Sequence, residues 1–150
     1  MKEIRDLIKP EYIFLELPAK DKFDVIHKII GRMSTLPEIR DLKEFEEEVV
    51  RREKEIPTGL QMGAALPHAR SRVVDDIVMA FARLKRSVDF GAGDREPARL
   101  IFLFGVPTEQ INDYLKLVAK LCRILKEKTF RKKLLSARTP DEVIRLMQEV

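Results

Sequence analysis

Five consecutive apolar residues, Leu100-Ile101-Phe102-Leu103-Phe104, constrain this chain more than any other stretch. Side chains of a strand point to alternate sides, so a run without polar alternation belongs to a strand shielded from water on both faces. Such a strand needs a layer of other structure on each side. The remaining sequence reads as the source of those layers.

Tyr12 to Leu17 is short, aromatic and apolar, and Pro18 closes it, which predicts a strand. Asp21 is placed to cap a helix whose apolar positions Phe23, Ile26, Ile29, Ile30 and Met33 follow helical spacing. His27 lies on the edge of that stripe and reads as a partly exposed helix histidine. After a loop at Leu36-Pro37, a second helix from about Asp41 to Glu53 turns Leu42, Phe45 and Val49 inward, with Glu46 to Glu48 on its solvated face. Pro57, Gly59 and Gly63 argue against helix, and Gly63 to Leu66 suits a short, tightly packed strand. Ile77 to Leu84 predicts another strand, Val88 to Phe90 a short one, and Gly91 to Pro97 a loop. From about Thr108 a long helix carries Ile111, Leu115, Val118, Leu121, Cys122 and Leu125 on one side. Phe130 and Leu134 belong to a further helical piece. Thr139-Pro140-Asp141-Glu142 is a capping box opening a last helix with Val143, Ile144 and Met147 inward. Strands alternate with helices, and some neighbours read as hairpins. The expected fold is α/β, one domain over residues 1–150, with a mixed sheet covered by helices.

No apolar stretch reaches the roughly 18 residues of a membrane span, and Met1 to Asp6 lacks the apolar core of a signal peptide. A single cysteine, Cys122, excludes an internal disulfide and has no zinc-ligand spacing; it reads as a small core residue. A cytoplasmic protein without membrane insertion is expected. The net charge of +4 does not argue for nucleic acid, although basic residues outnumber acidic ones nine to one between Lys116 and Arg138. Without a nucleic-acid motif or interleaved aromatics, that run reads as a solvated helical face.

The chemistry points to Arg52 to Arg70, which holds one of the two histidines. His68 follows a buried-looking strand, where a side chain emerges from a rigid element. Gly59 and Gly63 permit close backbone approach. Arg52 and Thr58 are anion donors close enough in sequence to converge on it. These residue types suit phosphoryl transfer: neutral imidazole is abundant at pH 7, a ring nitrogen can attack phosphorus, and an arginine fork with a hydroxyl can meet the added charge. No second histidine or carboxylate pair lies at metal-ligand spacing, and Ser71 and Asp75 lack the setting of a hydrolase nucleophile.

Arg52-Glu53, Thr58-Gly59 and Gly63-Ala-Ala-Leu-Pro-His68 together resemble the enzyme IIA domains of the bacterial sugar phosphotransferase system. The branch is the fructose/mannitol type, which includes the nitrogen-regulatory IIA proteins. The resemblance continues to the C-terminal Thr-Pro-Asp-Glu-Val-Ile; Pro57 and Leu66 are mild departures from its usual serine and isoleucine. It implies that His68 accepts phosphate from the phosphocarrier protein HPr and passes it to an enzyme IIB or permease, without metal or organic cofactor. Arg52 is then the active-site arginine, Thr58 the hydroxyl near the phosphate, and Gly59, Gly63 and Pro67 part of the pocket. The alternative it implies is a nitrogen-type regulator acting through phosphorylation-dependent protein binding. A homodimer is left open. Tyr114 stands where the family usually carries a second histidine; a phenol can donate one hydrogen bond but cannot supply an imidazolium charge, so slower onward transfer is an open expectation.

Overall fold

The computed structural model describes residues 2–150. A single helical turn, α1 (Ile4–Leu7), precedes β1 (Ile13–Leu17), α2 (Lys22–Gly31) and α3 (Leu42–Glu55). Three short strands follow, β2 (Gly59–Leu60), β3 (Ala64–Ala65) and β4 (His68–Ser71), then two long ones, β5 (Val78–Val88) and β6 (Ala98–Pro107). Helices α4 (Ile111–Leu125), α5 (Lys128–Ser136) and α6 (Pro140–Met147) complete the chain.

The apolar run lies inside β6, at the middle of one mixed sheet of order β1-β5-β6-β3-β2, with β4 also paired to β6. β5 and β6 form the antiparallel hairpin, and β1 runs parallel to β5. β3 and β4 both run parallel to β6 along the same edge, Ala64 opposite Leu100 and His68 opposite Phe104. They behave as one strand interrupted at Leu66-Pro67. Proline has no N–H to donate to a ladder, yet the Pro67 carbonyl still accepts from Phe104 N–H at 3.0 Å. The expected short strand ending before the histidine is therefore corrected: pairing resumes at His68, the first residue of β4.

Alternation along β5 and β6 builds two cores. One face buries Ala80, Ala82, Ile101 and Leu103 against Val25, Ile26, Ile29, Phe45 and Val49 of α2 and α3. The other buries Met79, Phe81, Phe102 and Phe104 against Leu117, Leu121, Phe130, Leu134 and Val143 of α4 to α6. This is the expected α/β architecture, a mixed sheet with helices on both faces. The expected cap at Asp21 forms, accepting from Asp24 N–H, and Asp41, read only as the start of the second helix, caps it by accepting from Glu44 N–H. Thr139 accepts from Glu142 N–H, while the Glu142 carboxylate takes Arg138 N–H, one residue outside the expected box. Among the described residues, no helix is long and apolar enough to cross a membrane.

Two expectations change. Val88 is the last residue of β5, paired with Ala98, and Asp89-Phe90 lies outside any strand. On α4 the buried line is Tyr114, Leu117, Leu121 and Leu125, whereas Leu115 is 55% exposed. Successive residues are about 100° apart on a helix, so burying Tyr114 turns its neighbour outward.

Glu16, at φ 56, sits at the irregularity in β1 pairing and binds Arg83 and Arg99. Arg83 is only 5% exposed and also donates to the Leu134 and Ala137 carbonyls at 3.0 and 2.6 Å, tying α5 to the sheet. We expect Arg83→Ala to lower unfolding free energy by about 3 kcal/mol, because it strands buried carbonyls as well as breaking an ion pair. Urea denaturation measures this, and a loss below about 1 kcal/mol would show that water replaces the guanidinium.

Candidate functional site

Strand alternation puts His68 and Arg70 on one side of β4 and buries Ala69 and Ser71 on the other. Ser71 is held from behind, its hydroxyl donating to Glu48 of α3 at 2.8 Å. The outward side of β4 is one wall of a cleft of about 430 Å³, with Arg51, Arg52 and Glu55 at the end of α3 and Ile111 at the start of α4 also lining it. Arg52 sits in the last turn of α3, where one Nη1 N–H caps the Ile56 carbonyl at 3.1 Å. A guanidinium has five N–H donors, so most of its fork remains for an anion.

His68 Nδ1 lies 2.9 Å from the Leu66 carbonyl oxygen. A carbonyl only accepts, so Nδ1 carries the proton and Nε2 the free lone pair. Burial lowers the imidazole pKa below its ordinary 6.5; the Leu66 carbonyl bond opposes this, Arg52 lowers it further, and Glu53 raises it. The net direction keeps His68 neutral and nucleophilic at pH 7.

The Tyr114 ring packs 5.3 Å from the His68 ring and edge-on to Phe104, and it is buried. Burial pushes the phenol well above its usual range, so Tyr114 remains a protonated, neutral donor. Arg52, His68 and Tyr114 are thus brought together.

Thr58 is not. Its hydroxyl donates to Glu53 Oε1 and its N–H to Glu53 Oε2 at 2.8 Å; like Tyr114 it does not itself line the cleft, but unlike Tyr114 it makes no contact with the imidazole ring. The expected hydroxyl contact with phosphate gives way because the proton is committed to a carboxylate that is 1% exposed. Gly59 and Gly63 serve the scaffold. A Cβ on Gly59 would lie 2.6 Å from the Phe90 oxygen. Gly63, at φ +70, presents its carbonyl to the N–H groups of Arg99 and Leu100 and so starts the pairing to β6. Pro67 forms the interruption behind His68.

Sequence reasoning gave no role to Glu53, although it quoted the residue, and it missed Arg51 and Arg70. Arg70 was legible from the period of two that links it to His68; its Nε donates to the Thr108 carbonyl at 2.8 Å. Glu53 had no such signal, since a glutamate in an acidic helix reads as solvated. His27 lies exposed on α2, 2.9 Å from Glu46, as a helix-surface histidine. Cys122 is half-buried against the second core, and burial raises its thiol pKa.

The cleft thus brings a neutral imidazole with a free nitrogen together with the guanidinium groups of Arg51, Arg52 and Arg70 and the carboxylates of Glu48 and Glu55. Comparisons with known proteins give the family. The family described as phosphoenolpyruvate-dependent sugar phosphotransferase system, EIIA 2, matches residues 6–150, and the chain belongs to it. Among relatives, the fructose-specific EIIA component of Haloferax volcanii is 31% identical over 148 residues, covering 99% of this chain and 96% of that protein. The fructose-specific EIIABC component of Bacillus subtilis is 29% identical over 98% of this chain, which spans only 23% of its length. Among solved structures, the nitrogen regulatory protein IIA-Ntr of Neisseria meningitidis superposes with a TM-score of 0.87 at 27% identity, covering 96% of this chain and 98% of that one. Mannitol enzyme IIA of Escherichia coli, solved in complex with phosphorylated mannitol enzyme IIB, gives 0.82 at 22% identity over 95% and 98%, a likeness of fold.

The two histidines should titrate on opposite sides of 6.5. Burial lowers His68, whereas the hydrogen bond to Glu46, then its charge, raise His27. Below 6.5 the unfolded chain binds more protons at position 68 than the folded one, so stability falls as pH drops from 6.5 toward the folded His68 value. Proton NMR of the ring resonances tests this; a His68 midpoint above that of His27 would contradict the burial argument.

Proposed function

We propose that this protein carries a phosphoryl group between proteins on His68 Nε2, taking it from an HPr-type phosphocarrier and giving it to an enzyme IIB. The observation that carries this reading is the neutral His68 with its Nε2 free beside Arg52, Arg51 and Arg70. The Nε2 lone pair forms the new N–P bond as the bond from phosphorus to the donor's nitrogen breaks, and the donor nitrogen keeps that electron pair. The Nδ1 proton stays on the ring. The guanidinium groups offset the phosphate charge, and their donors are in place before transfer.

Tyr114 supports acceptance by offering one hydrogen-bond donor and a rigid face against the imidazole. It brings no charge. The cation that a second histidine would provide falls instead to the arginines of the cleft, and no metal or organic cofactor enters the transfer. Ile56 on the connection after α3 and Leu115 on α4 are exposed apolar side chains on the two elements beside the cleft. They suit the rim of a transient protein interface.

A second reading keeps the same chemistry but uses it as a signal, in which phosphorylation of His68 controls binding to regulatory partners. The near-complete overlap with the Neisseria nitrogen regulatory protein favours keeping it. Phosphate passed to an enzyme IIB distinguishes relay from signal.

Incubation with phosphoenolpyruvate, enzyme I and HPr should add one acid-labile phosphate, read as a mass shift. His68→Ala should abolish it while leaving the fold unchanged; acid-labile phosphate on that variant would refute the assignment. Arg52→Ala should slow transfer about 100-fold, the usual size of removing one preorganised donor to developing charge, and Arg52→Lys should recover part of it. An unchanged rate in Arg52→Ala would remove the guanidinium from the mechanism.

A further inference from the structure

Glu53 is a buried carboxylate that touches neither the cleft nor His68, yet it begins a continuous series of hydrogen bonds ending on the imidazole. Its Oε1 and Oε2 accept the Thr58 hydroxyl and N–H. The Thr58 carbonyl accepts Leu66 N–H at 3.1 Å, and the Leu66 carbonyl accepts His68 Nδ1–H at 2.9 Å. We propose that Glu53 is a positioning residue that acts through Thr58 and Leu66 to fix His68 as the Nδ1–H tautomer, selecting Nε2 as the nitrogen that receives phosphate. This rests on the reading of His68 as a phosphate acceptor.

Each link is constrained from a second side. Lys22 Nζ lies 3.3 Å from Glu53 Oε2, an ion pair that restrains the carboxylate. The turn after Thr58 is fixed by Gly59 N–H donating to the Phe90 carbonyl at 3.0 Å. Phe104 N–H holds the Pro67 carbonyl, one peptide further on, and the Pro67 ring restricts the backbone between them, which limits how far the Leu66 carbonyl can turn. Among the described residues, the acceptor aligned with the imidazole is the Leu66 carbonyl, on the Nδ1 side.

Phosphorylation strengthens the same contact. When Nε2 bonds to phosphorus while Nδ1 keeps its proton, the ring gains positive charge. The Leu66 carbonyl then accepts a charge-assisted bond, and the Glu53 anion lies on the side where that charge resides. Glu53 already favours the charged ring before any phosphate arrives. The carboxylate therefore stabilises the phosphorylated ring through charge as well as orienting the free one.

The test uses protein labelled with ¹⁵N-histidine, and phosphoramidate as a small-molecule donor, so that partner docking plays no part. Two-bond ¹H–¹⁵N spectra above the His68 midpoint should show the wild type as Nδ1–H with Nε2 unprotonated. In Glu53→Gln the Nε2–H tautomer should become substantially populated, phosphorylation should slow about tenfold, and part of the phosphate should move to Nδ1. Thr58→Val, which removes one of the two Glu53 contacts, should shift the tautomer in the same direction by less, and Thr58→Ser should restore the wild-type spectrum. These two variants carry the test if Glu53→Gln does not fold. A folded Glu53→Gln, or in its absence Thr58→Val, with the wild-type tautomer and phosphate only on Nε2 would overturn the proposal. Wild-type protein that takes no phosphate would sink the acceptor reading, while the tautomer spectra still decide whether Glu53 positions the ring.

Discussion

The structure depends on how β6 is paired. One edge is fully occupied by β5, and the other is shared by two fragments of a single interrupted strand. A central strand tolerates a proline neighbour only if the missing donor falls where nothing is needed. Here the Phe104 N–H still finds the Pro67 carbonyl, so the interruption leaves that donor satisfied. It also frees the Leu66 carbonyl from the ladder, and that oxygen orients the histidine. The break in the sheet and the reactive position are the same local feature.

Two opposing effects meet at His68. Burial and the Arg52 guanidinium disfavour a charged imidazole, while the Leu66 carbonyl and Glu53 favour it. Before phosphate arrives the first set wins, and the ring is a neutral nucleophile. On the proposed reading, a phosphoryl group would bring its own negative charge to the arginine side and so remove the main objection to a charged ring. The balance then shifts toward the carbonyl and carboxylate. A carrier must both accept and release, so a site whose preferred ring charge changes with the phosphate avoids binding either state too firmly.

Much of this was legible in the residues. The unbroken apolar run of β6 and the cap residues Asp21 and Thr139 follow from local rules and are recovered in place. The cluster of Arg52, His68 and Tyr114 was also within reach, through motif spacing for two of them and a family departure for the third. What failed depended on long-range geometry. Leu115 and Tyr114 compete for the inward position on α4, and only the ring contact with Phe104 and His68 decides between them. Thr58 has the right chemistry for an anion contact, but its hydroxyl turns toward a carboxylate five residues earlier. Glu53 lies in a helix rich in glutamates, none of the others fully buried, so its burial becomes visible only when Lys22 and Thr58 are placed around it.

A buried anion close to a phosphate site looks counterproductive, since like charges at short range cost energy in a medium of low polarity. The arrangement avoids that cost by direction. Glu53 accepts two bonds from Thr58 and lies 3.3 Å from Lys22, and on our proposal it acts on the site through the Nδ1 side of the imidazole. The arginines occupy the open cleft side, where Nε2 would present the phosphate. In the proposed phosphohistidine the ring would stand between the arginines of the cleft and the Glu53 carboxylate, each on the end whose charge it complements. Replacing an imidazole by the phenol of Tyr114 changes little in this balance. The charges that matter come from Arg51, Arg52, Arg70 and Glu53, and the tyrosine supplies an aromatic surface and one donor.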